Sequence, residues 1–270
     1  MLLFGFSLYN VVMKRIAALL ATLMISILFC TPALFAGSPK ELTVSAAISL
    51  KNAFEELGRL YEGKNRGVKA LFNFGASGDL AGQIKGGAPV DVFASAAQKD
   101  MDALEKKGLI LRGSRVNAAG NTVVLVVPSH TASPIRSFGD LKLDAVKRIA
   151  AGDPRTVPAG RYAEEVFQHY GILGVIKNKI VFAGNVRQVL DYVARGEVDA
   201  GVVYSTDAAT RMKEVRIAAT APEGSHKPVE YPIAIVRDTK NEKAAKDFLM
   251  LVTSPEGRRI LARYGFKVSE

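Results

Sequence analysis

Residues 42–80 read LTVSAAISLKNAFEELGRLYEGKNRGVKALFNFGASGDL. A β-rich run, LTVSAA, is followed by a segment in which Leu50, Phe54, Leu57 and Tyr61 recur at spacings of three and four. Lys51, Glu55, Glu56 and Arg59 fall on the other face, so 49–61 is predicted as an amphipathic helix with one side packed on a sheet. VKALFNF from Val68 is a second β run, and a second helical pattern starts at Gly78. This strand–helix–strand–helix rhythm predicts an α/β fold with a mostly parallel sheet.

The rhythm continues outward from there. DVFASA at 91–96 reads as a buried strand, and 98–107 as a helix ended by Gly108. NTVVLVV at 121–127 is an unbroken apolar strand closed by Pro128, and a Ser/Pro-rich passage runs on to Gly139. This region is read as a crossing into a second lobe. KRIAAGDP, a helix at 159–170, KIVFAG, a helix at 186–195 and VDAGVVY then build a second α/β unit, complete by Asp207. YPIAIVRD from Tyr231 returns the chain to the first lobe, where 242–264 supplies closing helices. The expected organisation is therefore lobe 1 from 37–121 plus 225–270 and lobe 2 from 122–224. Two crossings make a two-stranded hinge suited to clamshell closure. No repeat of fixed period and no low-complexity tract is present, which excludes solenoid and fibrous readings.

The first 36 residues contrast with the rest. They contain no acidic residue, one basic pair (Lys14, Arg15) and a predominantly apolar run at 16–29. That run is shorter than the roughly 20 residues a membrane helix needs, so 1–36 is predicted to be a secretory signal peptide with Met13 as its true start. Cleavage after Ala36 gives a sensible mature start, although Leu34 at the third position back is larger than usual, and cleavage after Ala33 is the alternative. Cys30, the one cysteine, lies inside this segment, so the exported chain relies on its core rather than on disulfides. Phe29 directly before Cys30 argues against lipid attachment there. The expected location is the periplasm. Apolar residues at 49% and charged ones at 23% are ordinary for a globular protein. Without Lys14 and Arg15, the 36 basic residues become 34 against 26 acidic, a net charge of +8 that favours an anionic ligand. The same charge also reads as a solvated surface, because basic and acidic residues are interspersed.

Four places share one local pattern, a strand running into small or hydroxyl residues that open a helix: Ser49, Ser77, Ala159 and Val186. A helix N-terminus has backbone N–H groups without intrahelical partners, and these together with the serine hydroxyls form an anion site. Gly75 and Gly78 flank Ser77 and let the backbone bend closely around a bound atom. Ala159 and Val186 offer backbone N–H groups only. Tyr204 ends the strand GVVY at its carboxyl edge, where open α/β sheets bind ligands, so its phenol is a further donor. The competing readings are plain N-caps for Ser49 and Ser77 and ordinary packing for Ala159 and Val186. Several converging neutral donors can hold a buried dianion, since hydrogen bonds to charged groups contribute roughly 1.5–3 kcal/mol each.

Enzyme readings fare worse. His130, His169 and His226 are far apart and lack metal-ligand spacing. Gly75-Ala76-Ser77-Gly78-Asp79 is not a nucleophile elbow, because its second glycine comes one position early. No P-loop or dinucleotide fingerprint is present. An exported serine hydrolase using Ser49 or Ser77 stays as the alternative from another class. A basic nucleic-acid binder would need aromatic residues interleaved with basic ones, which are not seen.

TVSAAISL, FGASGDLAGQI, GGAPVDVFASAAQKDMDAL, the GDP-x-x-VPAG-x-YA segment at 152–163, NVRQVL, GVVYSTDA, SHKPVEYPIAIV and the terminal RYGF together give a family resemblance. Over nearly its whole length the exported chain resembles the periplasmic molybdate-binding proteins of ABC transporters. The resemblance implies a two-lobed type II periplasmic-binding-protein fold and no enzymatic activity. It also implies five contacts to an intact tetrahedral oxyanion: hydroxyls from Ser49, Ser77 and Tyr204, and backbone N–H groups from Ser49, Ser77, Ala159 and Val186. The metal of molybdate or tungstate would be held at these five positions through its oxygens, with no other cofactor. Where the family often shows a serine cluster, Ser77 here lies between Ala76 and Gly78, so no neighbouring serine adds a donor. The implied partner is the membrane permease of an ABC transporter, with no nucleic acid, and the expected state is a monomer. A sulfate or phosphate receptor of the same fold is the alternative within the class.

Overall fold

The computed structural model describes residues 13–18, 40–130 and 132–268. Of the expected export segment only 13–18 fall within it, and they are helical. Cys30 and both cleavage positions lie outside the described residues. Among the described residues no helix is long and apolar enough to cross a membrane.

From Lys40 the chain builds two five-stranded sheets. The first contains β1 (Lys40–Ala47), β2 (Val68–Gly75), β3 (Val92–Ala94), β4 (Val116–Gly120) and β10 (Glu230–Ile235), in the order β2-β1-β3-β10-β4. The second contains β5 (Val123–Pro128), β6 (Ile149–Gly152), β7 (Ile180–Ala183), β8 (Ala200–Tyr204) and β9 (Val215–Thr220), in the order β7-β6-β8-β5-β9. The order is the same in both: three parallel strands, then an antiparallel strand contributed after a crossing, then an edge strand. The sheets are thus mixed, not mostly parallel. β10 and β5 run against their neighbours because each enters its sheet straight from the other one, without a crossover helix to reverse its direction. The edge strands β4 and β9 are not evident in the sequence. Val116 and Ile217 remain partly exposed, so the apolar signal there is diluted.

The helices fill the βα connections: α1 (Lys51–Lys64), α2 (Ser77–Lys85), α3 (Gln98–Lys106), α4 (Pro158–His169), α5 (Leu173–Ile176), α6 (Val186–Ala194) and α7 (Ser205–Ala209), with α8 (Glu242–Thr253) and α9 (Pro255–Arg263) closing the chain. Local chemistry sets their ends. Pro158 occupies the first turn of α4, where its missing N–H costs no bond. Asn185 caps α6, its Oδ1 accepting from Gln188 N at 3.0 Å. Gly108 takes the left-handed conformation after α3, with φ +67°. The predicted apolar stripe of α1 is buried as expected, with Phe54 and Leu57 fully inaccessible. Phe54 meets Phe248 of α8 edge-on at 6.0 Å and Tyr61 meets the same ring at 5.4 Å, which ties the C-terminal helices to the first lobe.

The chain passes between the sheets twice, from Gly120 to Val123 and from Thr220 to Glu230. The first change of sheet therefore precedes the apolar strand, ahead of the Ser/Pro-rich passage. The two passages are bonded side by side, with Asn121 N–H donating to Val229 O at 3.2 Å.

Candidate functional site

The carboxyl ends of the parallel strands in the two sheets face one another, and one small cavity lies between them. Its free volume is about 10 Å³, space for roughly the centre of one water-sized atom. Ser49, Ser77, Ala159, Val186 and Tyr204 all line it, joined by the ends of β1 and β2 and by Ala96, Val157 and Pro158. Each of the five is at least nine-tenths buried. The structure thus brings every predicted site residue to one place.

Ser77 opens α2, Ala159 lies in the first turn of α4 and Val186 opens α6. These positions carry N–H groups with no carbonyl one turn back. Ser49 sits in a 3-10 turn, Ile48–Leu50, that leads into α1, so the helix begins more tightly than its apolar spacing predicts. Neither serine is a plain N-cap: Ala76 holds that position for α2, Ser49 lies inside the 3-10 turn that follows Ala47, and the hydroxyl contacts of both serines are with residues outside their own helices. Ser77 Oγ instead accepts from Ala96 N at 2.9 Å, which leaves its own hydrogen for the cavity. Ser49 Oγ lies 3.0 Å from Tyr231 Oη.

Tyr204 Oη is buried without a hydrogen-bond partner. A hydroxyl in that state costs about 1–3 kcal/mol unless something in the cavity accepts from it. Burial pushes the phenol well above the usual tyrosine range, with the neighbouring Tyr231, Tyr162 and Asp207 adding to the effect, so it is a donor across the physiological range.

No charged side chain lines this cavity. The nearby charges are paired beside it. Arg187 Nε bonds buried Asp207 while its Nη2 reaches Asn52 Oδ1 of the first lobe at 2.9 Å. Arg161 bonds Asp100 across the lobes. Burial raises the Asp207 carboxyl, an effect opposed by Arg187; burial likewise raises Asp100 against the pull of Arg161. A third contact joins the lobes: Gly78 N–H donates to Thr156 O at 2.9 Å. These cross-lobe contacts and the polar residues behind Ser49 escaped the sequence reading, because each pairs positions tens of residues or more apart with no local signature.

The cavity presents hydroxyl and backbone donors and no carboxylate, which suits an anion that keeps its own oxygens. Among the described residues no group of three or more His, Cys, Asp or Glu is placed to ligate a bare metal ion. Neither serine has a histidine among its hydrogen-bond partners, so the arrangement lacks the general base a serine hydrolase needs.

A buried, uncharged set of donors between two α/β lobes suits the binding of an anion. Residues 42–267 match the family described as bacterial extracellular solute-binding protein. YvgL of Bacillus subtilis (strain 168), a provisionally named ABC transporter substrate-binding lipoprotein, is 42% identical over 225 residues, 83% of this chain and 85% of that one. The molybdate-binding protein ModA of Escherichia coli (strain K12) is 39% identical over 234 residues, covering 84% and 89%. The solved periplasmic molybdate-binding protein of Azotobacter vinelandii superposes with a TM-score of 0.74 at 26% identity, covering 85% of this chain and all of that one. The chain belongs to the bacterial extracellular solute-binding proteins, in their molybdate-binding ModA family, and not to an enzyme family.

Proposed function

We propose that this protein captures molybdate, and tungstate with it, in the interlobe cavity and delivers the ion to the membrane permease of an ABC transporter. The observation that carries the reading is the convergence of three helix starts, the turn at Ser49 and the unpartnered Tyr204 hydroxyl on one buried, carboxylate-free cavity. Three hydroxyls and the first-turn N–H groups are all donors, which matches a fully ionised XO₄ dianion. A ligand that keeps a proton, such as hydrogen phosphate, is best held with a carboxylate acceptor, and no carboxylate lines the cavity. Molybdate and tungstate are nearly the same size and charge, so one cage serves both.

Residues 37–121 with 225–270 and residues 122–224 act as the two closing bodies, turning about the paired passages at Asn121 and Val229. The Arg161–Asp100 and Arg187–Asn52 contacts and the Gly78–Thr156 bond hold the closed form. The protein works outside the cytoplasmic membrane as a monomer, in the periplasm, after removal of 1–36.

Isothermal titration calorimetry of the purified protein with molybdate, tungstate, sulfate and phosphate tests the reading. Tight one-to-one binding of the first two with little response to the others is expected. A preference for sulfate or phosphate moves the substrate within the same fold, and no binding of any of the four refutes the oxyanion reading.

A further inference from the structure

We infer that Asn121 and Tyr231, through a directed chain of hydrogen bonds, fix which way the Ser49 hydroxyl donates, and so act as positioning residues for the oxyanion cavity. The inference rests on the oxyanion reading above and adds to it the origin of one donor's polarity.

The direction of the chain follows from one unambiguous donor. Thr122 N–H donates to Asn121 Oδ1 at 2.8 Å, and Ser205 Oγ donates to the same oxygen at 3.1 Å. A backbone N–H cannot accept, so this contact fixes the Asn121 amide with its oxygen toward Thr122 and its nitrogen on the opposite side. Asn121 Nδ2 then donates to Thr206 Oγ1 at 2.8 Å and to Tyr231 Oη at 3.1 Å. Tyr231 Oη, already accepting from the amide, turns its single hydrogen to Ser49 Oγ at 3.0 Å. Ser49 Oγ accepts that hydrogen, and its own is left for the cavity. Ser77 reaches the same polarity by a shorter route, through the Ala96 N–H. Tyr231 is fully buried and lies edge-on to Tyr204 at 6.0 Å and to Phe266 at 5.3 Å, so the ring is fixed in place. Burial raises its phenol well above the usual range, and it stays a proton donor.

The chain also links the site to the hinge. Asn121 is the residue at which the strand leaves the first sheet, and Tyr231 lies just after the return passage, while Ser205 and Thr206 belong to the second lobe. A single amide thus binds both lobes and both passages while setting the donor at Ser49.

The test is a double-substitution cycle in molybdate affinity, read by calorimetry on the protein, Ser49→Ala, Tyr231→Phe and the pair, with the ligand-free melting temperature of each measured alongside. Ser49→Ala should weaken binding roughly 10- to 100-fold, the effect of one hydrogen bond to a charged group. Tyr231→Phe should weaken it about 3- to 10-fold, and the pair should bind within about 2-fold of Ser49→Ala, because the phenol acts only through the serine. A merely structural role for Tyr231 would multiply the loss in the pair, whatever the melting temperature does. That result, or parent-like affinity in Tyr231→Phe, overturns the inference. If Tyr231→Phe does not fold, Asn121→Asp carries the same logic. An all-acceptor side chain takes the Tyr231 proton and lets the Ser49 hydroxyl turn to the phenol, so affinity should fall, and adding Ser49→Ala to it should cost no more than about 2-fold further; parent-like affinity or a fully additive loss in that pair also overturns the inference. Absence of oxyanion binding by the parent protein overturns the underlying reading and this inference with it, whereas parent binding without coupling overturns this inference alone.

Discussion

Replacing Gly78 by alanine separates closure from folding. A Cβ at this position would lie 2.6 Å from the carbonyl oxygen of Thr156 and 2.7 Å from its Cα, both backbone atoms of the opposite lobe. No side-chain rotation relieves such a contact, so the lobes must stand apart by several tenths of an ångström. The Gly78–Thr156 hydrogen bond, 2.9 Å long, is then lost or stretched. A lost backbone bond costs about 1 kcal/mol and overpacking a tight contact about 1–3 kcal/mol more. Gly78 has no positive φ, so alanine fits its backbone within α2. In the ligand-free protein with its lobes parted, the substitution should be neutral or stabilise by up to about 1 kcal/mol through the reduced entropy of the unfolded chain. The expected result is a ligand-free melting temperature equal to or slightly above the parent's, together with molybdate affinity about 30- to 1,000-fold weaker. Calorimetry for affinity and a thermal melt with and without molybdate read the two quantities separately. Unchanged affinity would refute the argument that closure on the ligand brings α2 against Thr156, and a large fall in the ligand-free melting temperature would show that the glycine serves the fold instead.

Three further outcomes concern the site and the chain end. Tyr204→Phe removes the unpartnered hydroxyl and should weaken molybdate binding roughly 10- to 100-fold. Because burial raises the Tyr204 phenol, its protonated form persists across neutral and mildly alkaline pH, and the parent's affinity should be flat from about pH 7 to 9; a loss tracking one proton in that range would contradict the donor role. Glu56, in α1, accepts from Arg263 and from Tyr264 Oη at 2.9 Å, and these bonds hold its carboxyl below the usual range. A depressed carboxylate contributes stability that is present above its unfolded pKa and lost as pH falls through its folded one. Glu56→Gln should therefore lower the melting temperature slightly at pH 7, and the difference from the parent should vanish in acid below the carboxylate range; a difference independent of pH would assign the effect to packing.

The sequence by itself determined the alternation of strands and helices, because period-two and period-3.6 apolar patterns are local properties of the chain. It also pointed to four of the five candidate positions that line the cavity, since a strand ending in small residues before a helix exposes N–H groups wherever it occurs, and it placed Tyr204 at a strand's carboxyl edge. Motif resemblance added the ligand. What it could not supply was anything depending on pairs distant in sequence. The antiparallel setting of β5 and β10 follows from where the chain changes sheets, and the edge strands β4 and β9 carry too little apolar contrast to announce themselves. The partners of the site residues were equally hidden: Ser49 meets Tyr231, 182 positions away, and Arg161 meets Asp100 across the lobes. Whether the two serines cap their helices or face a ligand was open in the sequence, because both roles use the same residue in the same place. Tertiary structure ruled out plain capping, by putting Ala76 at the N-cap of α2 and Ser49 inside a 3-10 turn, and by pairing both serine oxygens with groups from elsewhere in the fold.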